Sequence, residues 1–385
     1  MRILQMIDEL RLGGGAEQLQ YSFAEAVRGS GVEVVVLTLH DSEPEAAEEM
    51  RSHDVQVVRF PSSQFANPGR AADVMRFVRR GDFDVVHTHL VRSTLLGTLA
   101  ARSAGIPVVA TLHNTRPAIR LPRALRALET LLLRSAVDRI VAVGWETARV
   151  QQKRLGGRSI EVIPNAVSEA VALAPAEREA LRSELGVARD EILVLAVGRL
   201  HPQKSYGDLL EAFARLDPGR RAQLRIAGRG REKANIEAGI ARLGLGERVK
   251  LLGLRRDVPQ LLGASDLFAS ASAWEGLPVA TLEAMAAGLP VVATAVGDVP
   301  RVVDAASGSL VPAGRPDALG AALDRTVADP ALRRRQGEAA RRRVAEEFSA
   351  DAWAARLVAL YEEMVRSQRV AARASQEEDS CASPW

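Results

Sequence analysis

The chain holds a single cysteine, Cys381, in a polar C-terminal stretch, so an internal disulfide and a cysteine-based metal cluster are both excluded. A reducing, cytosolic compartment is the expectation. Lysine is almost as scarce: it stands only at Lys153, Lys204, Lys233 and Lys250, against a basic set that is otherwise arginine. A lysine held inside a motif is therefore more informative here than an arginine. Charge of one sign is also lacking, since the formal net charge is only +3, and no nucleic-acid partner is expected from it. No apolar run approaches the roughly 20 residues of a membrane span. The opening Met1-Arg-Ile-Leu-Gln-Met-Ile passes straight into a strand-like run without the apolar core of a signal peptide.

What is present is the balance of a folded protein, with 47% hydrophobic and 26% charged residues. A length of 385 residues implies two domains of similar size. Short β-branched runs alternate with longer helical patterns, the signature of βαβ units and parallel sheets. In the first half the expected strands are Arg2–Ile7, Glu33–Leu39, Gln56–Arg59, Val85–His89, Val108–His113, Arg139–Val143 and Ile160–Ile163, with helical patterns such as Ala16–Ser30 and Thr94–Ala104 between them. A second series is expected at Ile192–Gly198, Gln223–Ala227, Val249–Leu252, Leu267–Ala269, Val291–Thr294 and Gly308–Val311. The stretch from Pro164 to about Arg189 reads as a linker. Trp353, Leu357, Leu360, Tyr361 and Met364 mark a final amphipathic helix, and disorder is expected from Ala371 onward.

The feature richest in chemistry is Trp274-Glu275-Gly276-Leu277-Pro278-Val279-Ala280-Thr281-Leu282-Glu283, followed by the strand-like Leu289-Pro290-Val291-Val292-Ala293-Thr294. Two glutamates bracket a Gly/Pro turn that opens a helix, and proline near the first turn is where a missing N–H costs least. The open amides and dipole of such a helix start favour an anion, a diphosphate above all. Glu275, before the helix, then faces a donor sugar, and Glu283 points towards ribose hydroxyls, from which a carboxylate can accept two hydrogen bonds. A helix start with merely exposed acids is the plainer alternative.

These motifs resemble the retaining GT-B glycosyltransferases of family 4, whose signature is Glu, seven residues, Glu. Val197-Gly198-Arg199-Leu200-His201-Pro202-Gln203-Lys204 is similar to the family's basic loop, Ile163-Pro164-Asn165 to its interdomain segment, and Asp84-Val85-Val86-His87-Thr88-His89 and Thr111-Leu112-His113-Asn114 to its N-domain strands. The resemblance implies an α/β fold of GT-B type, two Rossmann-like doubly wound parallel-sheet domains with a cleft between them. It implies transfer of a sugar from a nucleotide diphosphate sugar, UDP ahead of GDP, to a lipid, polysaccharide or small-molecule acceptor, with no cofactor and no metal. An acceptor domain over 1–167, a nucleotide-sugar domain over 168–347 and a helix over 348–370 crossing back to the first domain are expected, with a disordered tail over 371–385. A GT-B nucleotide-sugar epimerase and a non-catalytic nucleotide-sugar-binding subunit are the alternatives.

Arg199 and Lys204 stand at the C-terminal end of a strand, where open α/β sheets bind ligands, and two cations there would neutralise charge on a departing diphosphate. By resemblance His113 contacts the donor sugar, Gly14 and Gly15 border the acceptor and the donor phosphate, and Gly228, Gly230, Leu254 and Arg255 flank the nucleotide base. The catalytic set is thus His113, Arg199, Lys204 and Glu275; Gly276, Leu277, Pro278, Val279 and Glu283 complete the donor site. His87 and His89 share a strand face at spacing two, which can suit a metal, but with no third ligand in view packing is the weightier reading. Residues 116–134 are basic and amphipathic, with arginines at 116, 120 and 123 on one face and Leu121, Leu125, Leu128 and Leu132 on another. They suit an interfacial helix at the inner face of a membrane, or a helix packed on the N-domain with a solvated arginine face.

Overall fold

The structure, a computed structural model, describes residues 1–11, 15–60, 68–113, 115 and 122–381, with the side chains of 68 and 372–381 left undescribed. Two compact units divide the chain: Met1–Pro164 together with the chain from Asp351 onward, and Asn165–Ala350.

The first unit is built on a seven-stranded sheet of β1 (Arg2–Ile7), β2 (Glu33–Thr38), β3 (Gln56–Arg59), β4 (Val85–His89), β5 (Val108–Leu112), β6 (Arg139–Ala142) and β7 (Glu161–Val162) in the order 3-2-1-4-5-6-7. All its pairings are parallel. The second unit carries β8 (Ile192–Val197), β9 (Ala222–Ala227), β10 (Val249–Gly253), β11 (Leu267–Ser270), β12 (Val291–Thr294) and β13 (Gly308–Val311) in the order 10-9-8-11-12-13. Both orders are the doubly wound Rossmann arrangement, in which the topology reverses beside the first strand of each unit and opens a ligand-binding crevice at the strands' C-terminal ends.

Helices cover both faces, so strands such as β2 and β8 read as near-continuous apolar runs. In the first unit one face packs Ile3, Ile7, Val85 and Val109 under Phe23 and under Leu357, Leu360, Tyr361 and Met364 of the helix Ala350–Cys381. The other face packs Leu4, Met6, Val86, Val108 and Ala110 with Val74, Val78, Ala100 and Leu133. In the second unit Val194, Ala196, Leu224, Ile226 and Val292 pack with Leu209, Phe213, Leu319 and Leu323.

Two expectations are corrected. The stretch read as a linker contains the helix Pro175–Glu184, fixed by Arg178 and Arg182, which donate to the two carboxylate oxygens of Asp266 at 2.7 and 2.9 Å. The tail read as disordered from Ala371 is helical as far as Cys381, because its Ala, Gln, Glu and Arg residues continue at little cost a helix already nucleated. In the basic segment, residues 116–121 lie outside the described residues; the helix Arg123–Ser135 turns Leu132 and Leu133 inward and leaves Leu128 and Leu131 exposed, so the leucines do not form one buried stripe. Among the described residues, no helix is long and apolar enough to cross a membrane.

Candidate active site

In the second unit, β8 ends at Val197 and its continuation turns through a short 3-10 segment, Pro202–Lys204. The turn is closed by the Lys204 amide donating to the His201 carbonyl at 2.9 Å and followed by Ser205 in the left-handed region at φ +43°, a conformation disfavoured for a residue with a side chain. The Ala273 amide donates to the Gln203 carbonyl at 2.8 Å and joins this loop to the segment after β11. That junction brings Lys204 to Glu275.

Lys204 Nζ donates to Glu275 Oε1 at 2.6 Å, and Ser272 Oγ donates to the same oxygen at 2.7 Å. Gln203 Nε2 donates to Glu275 Oε2 and to the Trp274 carbonyl, both at 3.0 Å. Side-chain exposure is 17% for Lys204 and 8% for Glu275, so the pair is largely shielded from water and its hydrogen bonds are charge-assisted. Glu275 is held at both oxygens, while two of the three ammonium protons of Lys204 have no partner among the described residues. Arg199 is exposed at the strand end and makes no hydrogen bond or ion pair among the described residues; its charge and that of Arg231 assist burial in lowering the pKa of His201. The two cations expected as equals are therefore unlike, Lys204 anchored and Arg199 free.

Glu275 leads into the helix Val279–Ala286. Its first amides are orphaned by geometry, and the Gly276 and Leu277 amides just before it donate to nothing among the described residues. The turn is braced from outside: Asp298 N donates to the Gly276 carbonyl at 3.0 Å and Asn165 Nδ2 to the Leu277 carbonyl at 2.8 Å. Gly297, at φ +55°, lies so close that a Cβ there would stand 2.3 Å from the Glu275 carbonyl oxygen, so no larger residue fits. Glu283, one helical turn in, is half-buried without an ion pair or hydrogen bond to its carboxyl among the described residues. Burial alone pushes its pKa up to about 7.

Gly228 and Gly230 follow β9 and permit backbone contact with the basic loop: a Cβ would lie 1.9 Å from the Gly198 oxygen at the first and 2.2 Å from the Leu200 oxygen at the second. They shape the loop's floor. Leu254 is partly exposed, and Arg255 is engaged by Asp257 at 2.5 and 2.7 Å and by Glu184 at 2.8 Å.

In the first unit Gly15 opens the helix Gly15–Ala26, and Gly14 lies outside the described residues. His113 directly follows β5. Its Nε2 lies 2.9 Å from His89 Nδ1, and His89 Nε2 lies 2.6 Å from Gln5 Oε1. His87 Nδ1 is 2.5 Å from Tyr361 Oη and its Nε2 is 2.6 Å from Thr111 Oγ1. Burial lowers the pKa of all three histidines, to about 3 for His87 and about 4 for His113, so the cluster is neutral at physiological pH. The nitrogens of His87 and His89 are all hydrogen-bonded, in keeping with packing over metal, and no group of three His, Cys, Asp or Glu suited to a metal occurs among the described residues.

Sequence reasoning missed Gln203, Ser272, Gly297, Gln5 and Tyr361. A glutamine inside the buried strand Arg-Ile-Leu-Gln-Met-Ile was a usable signal, since a polar group there must have a partner. Gly297 is placed by the structure against the Glu275 carbonyl, a contact that no local pattern marks.

The Glycosyltransferase Family 4 model matches residues 13–171 and the model for glycosyl transferases group 1 matches residues 177–343. The 2-deoxystreptamine glucosyltransferase of Streptomyces kanamyceticus is 31% identical over 317 residues, covering 77% of this chain and 82% of that protein. A D-inositol 3-phosphate glycosyltransferase of Actinosynnema mirum is 31% identical over 360 residues, covering 83% and 85%. The Anabaena HepE structure in complex with UDP and glucose superposes with a TM-score of 0.84 at 25% identity, covering 94% of this chain and 100% of that one. Two doubly wound domains, each with its family's model upon it, and relatives matched over most of their length make this chain a GT-B glycosyltransferase of group 1.

Proposed function

We propose that the protein transfers a sugar, with retention of configuration, from a nucleoside diphosphate sugar, UDP ahead of GDP, to a lipid, polysaccharide or small-molecule acceptor, without a divalent metal. The unit Asn165–Ala350 takes the donor and the other unit the acceptor. One observation carries this reading: an anchored lysine, open backbone amides and an unpartnered, half-buried carboxylate sit along one turn and helix start. The amides of Gly276 and Leu277 and the free ammonium protons of Lys204 suit a diphosphate. Glu283 gains the hydrogen bonds it lacks from ribose hydroxyls, and Arg199 adds a second cation. HepE was solved with UDP and glucose, which supports UDP as the nucleotide.

In the reaction the bond from the anomeric carbon to the diphosphate oxygen breaks while the acceptor oxygen bonds to that carbon on the same face. The leaving phosphate oxygen takes the acceptor's proton. Lys204 and Arg199 offset the charge that builds on the leaving group in a partly desolvated site; Glu275, positioned by Lys204, Ser272 and Gln203, faces the sugar. His113, assigned to the same sugar, stays neutral. With UDP-glucose as the probe donor and a broad acceptor panel, Lys204→Ala is expected to keep the native circular dichroism spectrum and to lose transfer by a factor on the order of 10²–10³. Near-normal turnover at saturating donor removes the role given to Lys204.

The exposed Leu128 and Leu131, with the exposed Arg123, Arg126 and Arg134, give the helix Arg123–Ser135 an amphipathic outer face suited to anionic lipid. Co-sedimentation with phosphatidylglycerol vesicles is expected to exceed that with phosphatidylcholine vesicles and to fall in a Leu128→Ser/Leu131→Ser variant. Equal recovery with both lipids leaves the helix a packed element with a solvated surface.

A further inference from the structure

The histidine cluster of the first unit contains more than packing requires. Thr111, His87, Tyr361, Gln5, His89 and His113 form one chain of hydrogen bonds across β5, β4, the helix Ala350–Cys381 and β1. The donors and acceptors in such a chain are not independent, because a neutral imidazole has one of each. Gln5 presents its carbonyl oxygen to His89 Nε2 at 2.6 Å, so the proton between them belongs to His89. His89 Nδ1 is then an acceptor, and the proton shared with His113 at 2.9 Å belongs to His113 Nε2. In the other direction Gln5 Nε2 donates to Tyr361 Oη at 3.5 Å, the phenol donates to His87 Nδ1 at 2.5 Å, and His87 Nε2 donates to Thr111 at 2.6 Å. Turning the Gln5 amide over would reverse every donor at once, so the three histidines share one tautomer.

We propose that Tyr361, Gln5 and His89 are positioning residues that hold His113 as the neutral Nε2–H tautomer, leaving Nδ1 bare to accept a hydrogen bond from a hydroxyl of the donor sugar. The inference rests on the assignment of His113 to that sugar. His113 Nδ1 has no partner among the described residues. Tyr361 is fully buried and its ring stands edge-on to Phe23, so the helix Ala350–Cys381 delivers a fixed phenol to the chain instead of a mobile one. The low pKa of each histidine keeps the arrangement unprotonated through the neutral range.

The experiment is nitrogen NMR of the full-length protein with labelled histidine, joined to steady-state kinetics with UDP-glucose. Wild type is expected to show His113 protonated at Nε2 and bare at Nδ1, unchanged between pH 6 and 8, with the Nδ1 resonance moving on addition of UDP-glucose. Tyr361→Phe keeps the ring packing and removes only the hydroxyl; Gln5→Met keeps the length and removes the acceptor. Each is expected to convert His113 to a mixture of tautomers and to lower kcat/KM for the donor about three- to tenfold with the acceptor KM unchanged. A wild-type His113 protonated at Nδ1 overturns the proposal, as does a tautomer and kcat/KM that both variants leave untouched. The tautomer is read in the free protein, so a failure of the donor assignment, seen as no transfer from any nucleotide sugar, is a separate result.

Discussion

The two sheets end in opposite kinds of chemistry. Across β1, β4 and β5, beside the buried carboxyl of Asp8, runs a network of imidazoles, an amide, a phenol and a hydroxyl, each engaged by the next. Beyond β8 and β11 the polar groups are an ammonium, a guanidinium and carboxylates, with the ion pair of Lys204 and Glu275 at the centre. The strand orders are the same but for the edge strand β7, so the difference comes from the residues. A neutral network stores direction, in which atom carries the proton, and burial costs it little. A charged network stores field, and each buried charge requires a partner or a ligand. On the proposed reading the first arrangement suits an uncharged sugar and the second a diphosphate.

The sharpest way to break that contrast is Arg225, which extends the charged character of the second unit into its core. This side chain on β9 is completely buried, and it donates to the carbonyls of Leu185, Gly186, Leu224 and Arg248 and to Gln223 Oε1 over 2.8–3.3 Å. Burial lowers its pKa, and the charge of Glu191 partly restores it. Arg225→Met fills much of the volume but strands several buried carbonyls, with an expected loss of about 2–4 kcal/mol. Hydrogen exchange in β8, β9 and β10 should accelerate accordingly while β1, β4 and β5 keep their protection. Stability equal to wild type would show that apolar packing replaces the charge, and that the second unit does not depend on it.

The fold was legible where buried parallel strands are near-continuous apolar runs, as in Ile192–Val197, expected one residue longer, and β12; β4 and β13 also match the expected spans, although their runs are interrupted by polar residues and glycine. The helix Pro175–Glu184 was not legible, because its anchor is Asp266, more than eighty residues away, and its own Ala/Glu/Arg run has no wide apolar stripe. The same limit applies to the site. Spacing put Glu275 and Glu283 at a helix start, which the structure shows. That Lys204 is tied to Glu275 while Arg199 is left free depends on a contact across 71 residues, invisible to any local pattern. Tyr361 was hidden for another reason: in the sequence Leu357, Leu360, Tyr361, Met364 it reads as one more core residue, and only the histidines opposite give its hydroxyl a use.

The smallest effect tests the contrast where it meets pH. The clustered histidines His87 and His113, lowered by burial to about 3 and about 4, do not titrate between pH 6 and 8, whereas Glu283 does. Its folded pKa of about 7 lies above the ordinary 4.5, so the stability it contributes is fully present below pH 4.5 and is lost as pH rises through about 7. That loss is expected at about 1–3 kcal/mol. Ribose hydroxyls would donate to the ionised form, so nucleotide binding should release a proton and strengthen with pH. Calorimetric affinity for UDP is expected to rise by at most about tenfold from pH 6 to 8, and Glu283→Gln should flatten the rise and gain stability at pH 8. A pH-independent affinity in the wild type would mean that Glu283 does not meet the ribose. A pH dependence that survives Glu283→Gln would place the titrating group elsewhere, and the neutral histidines would be the first to re-examine.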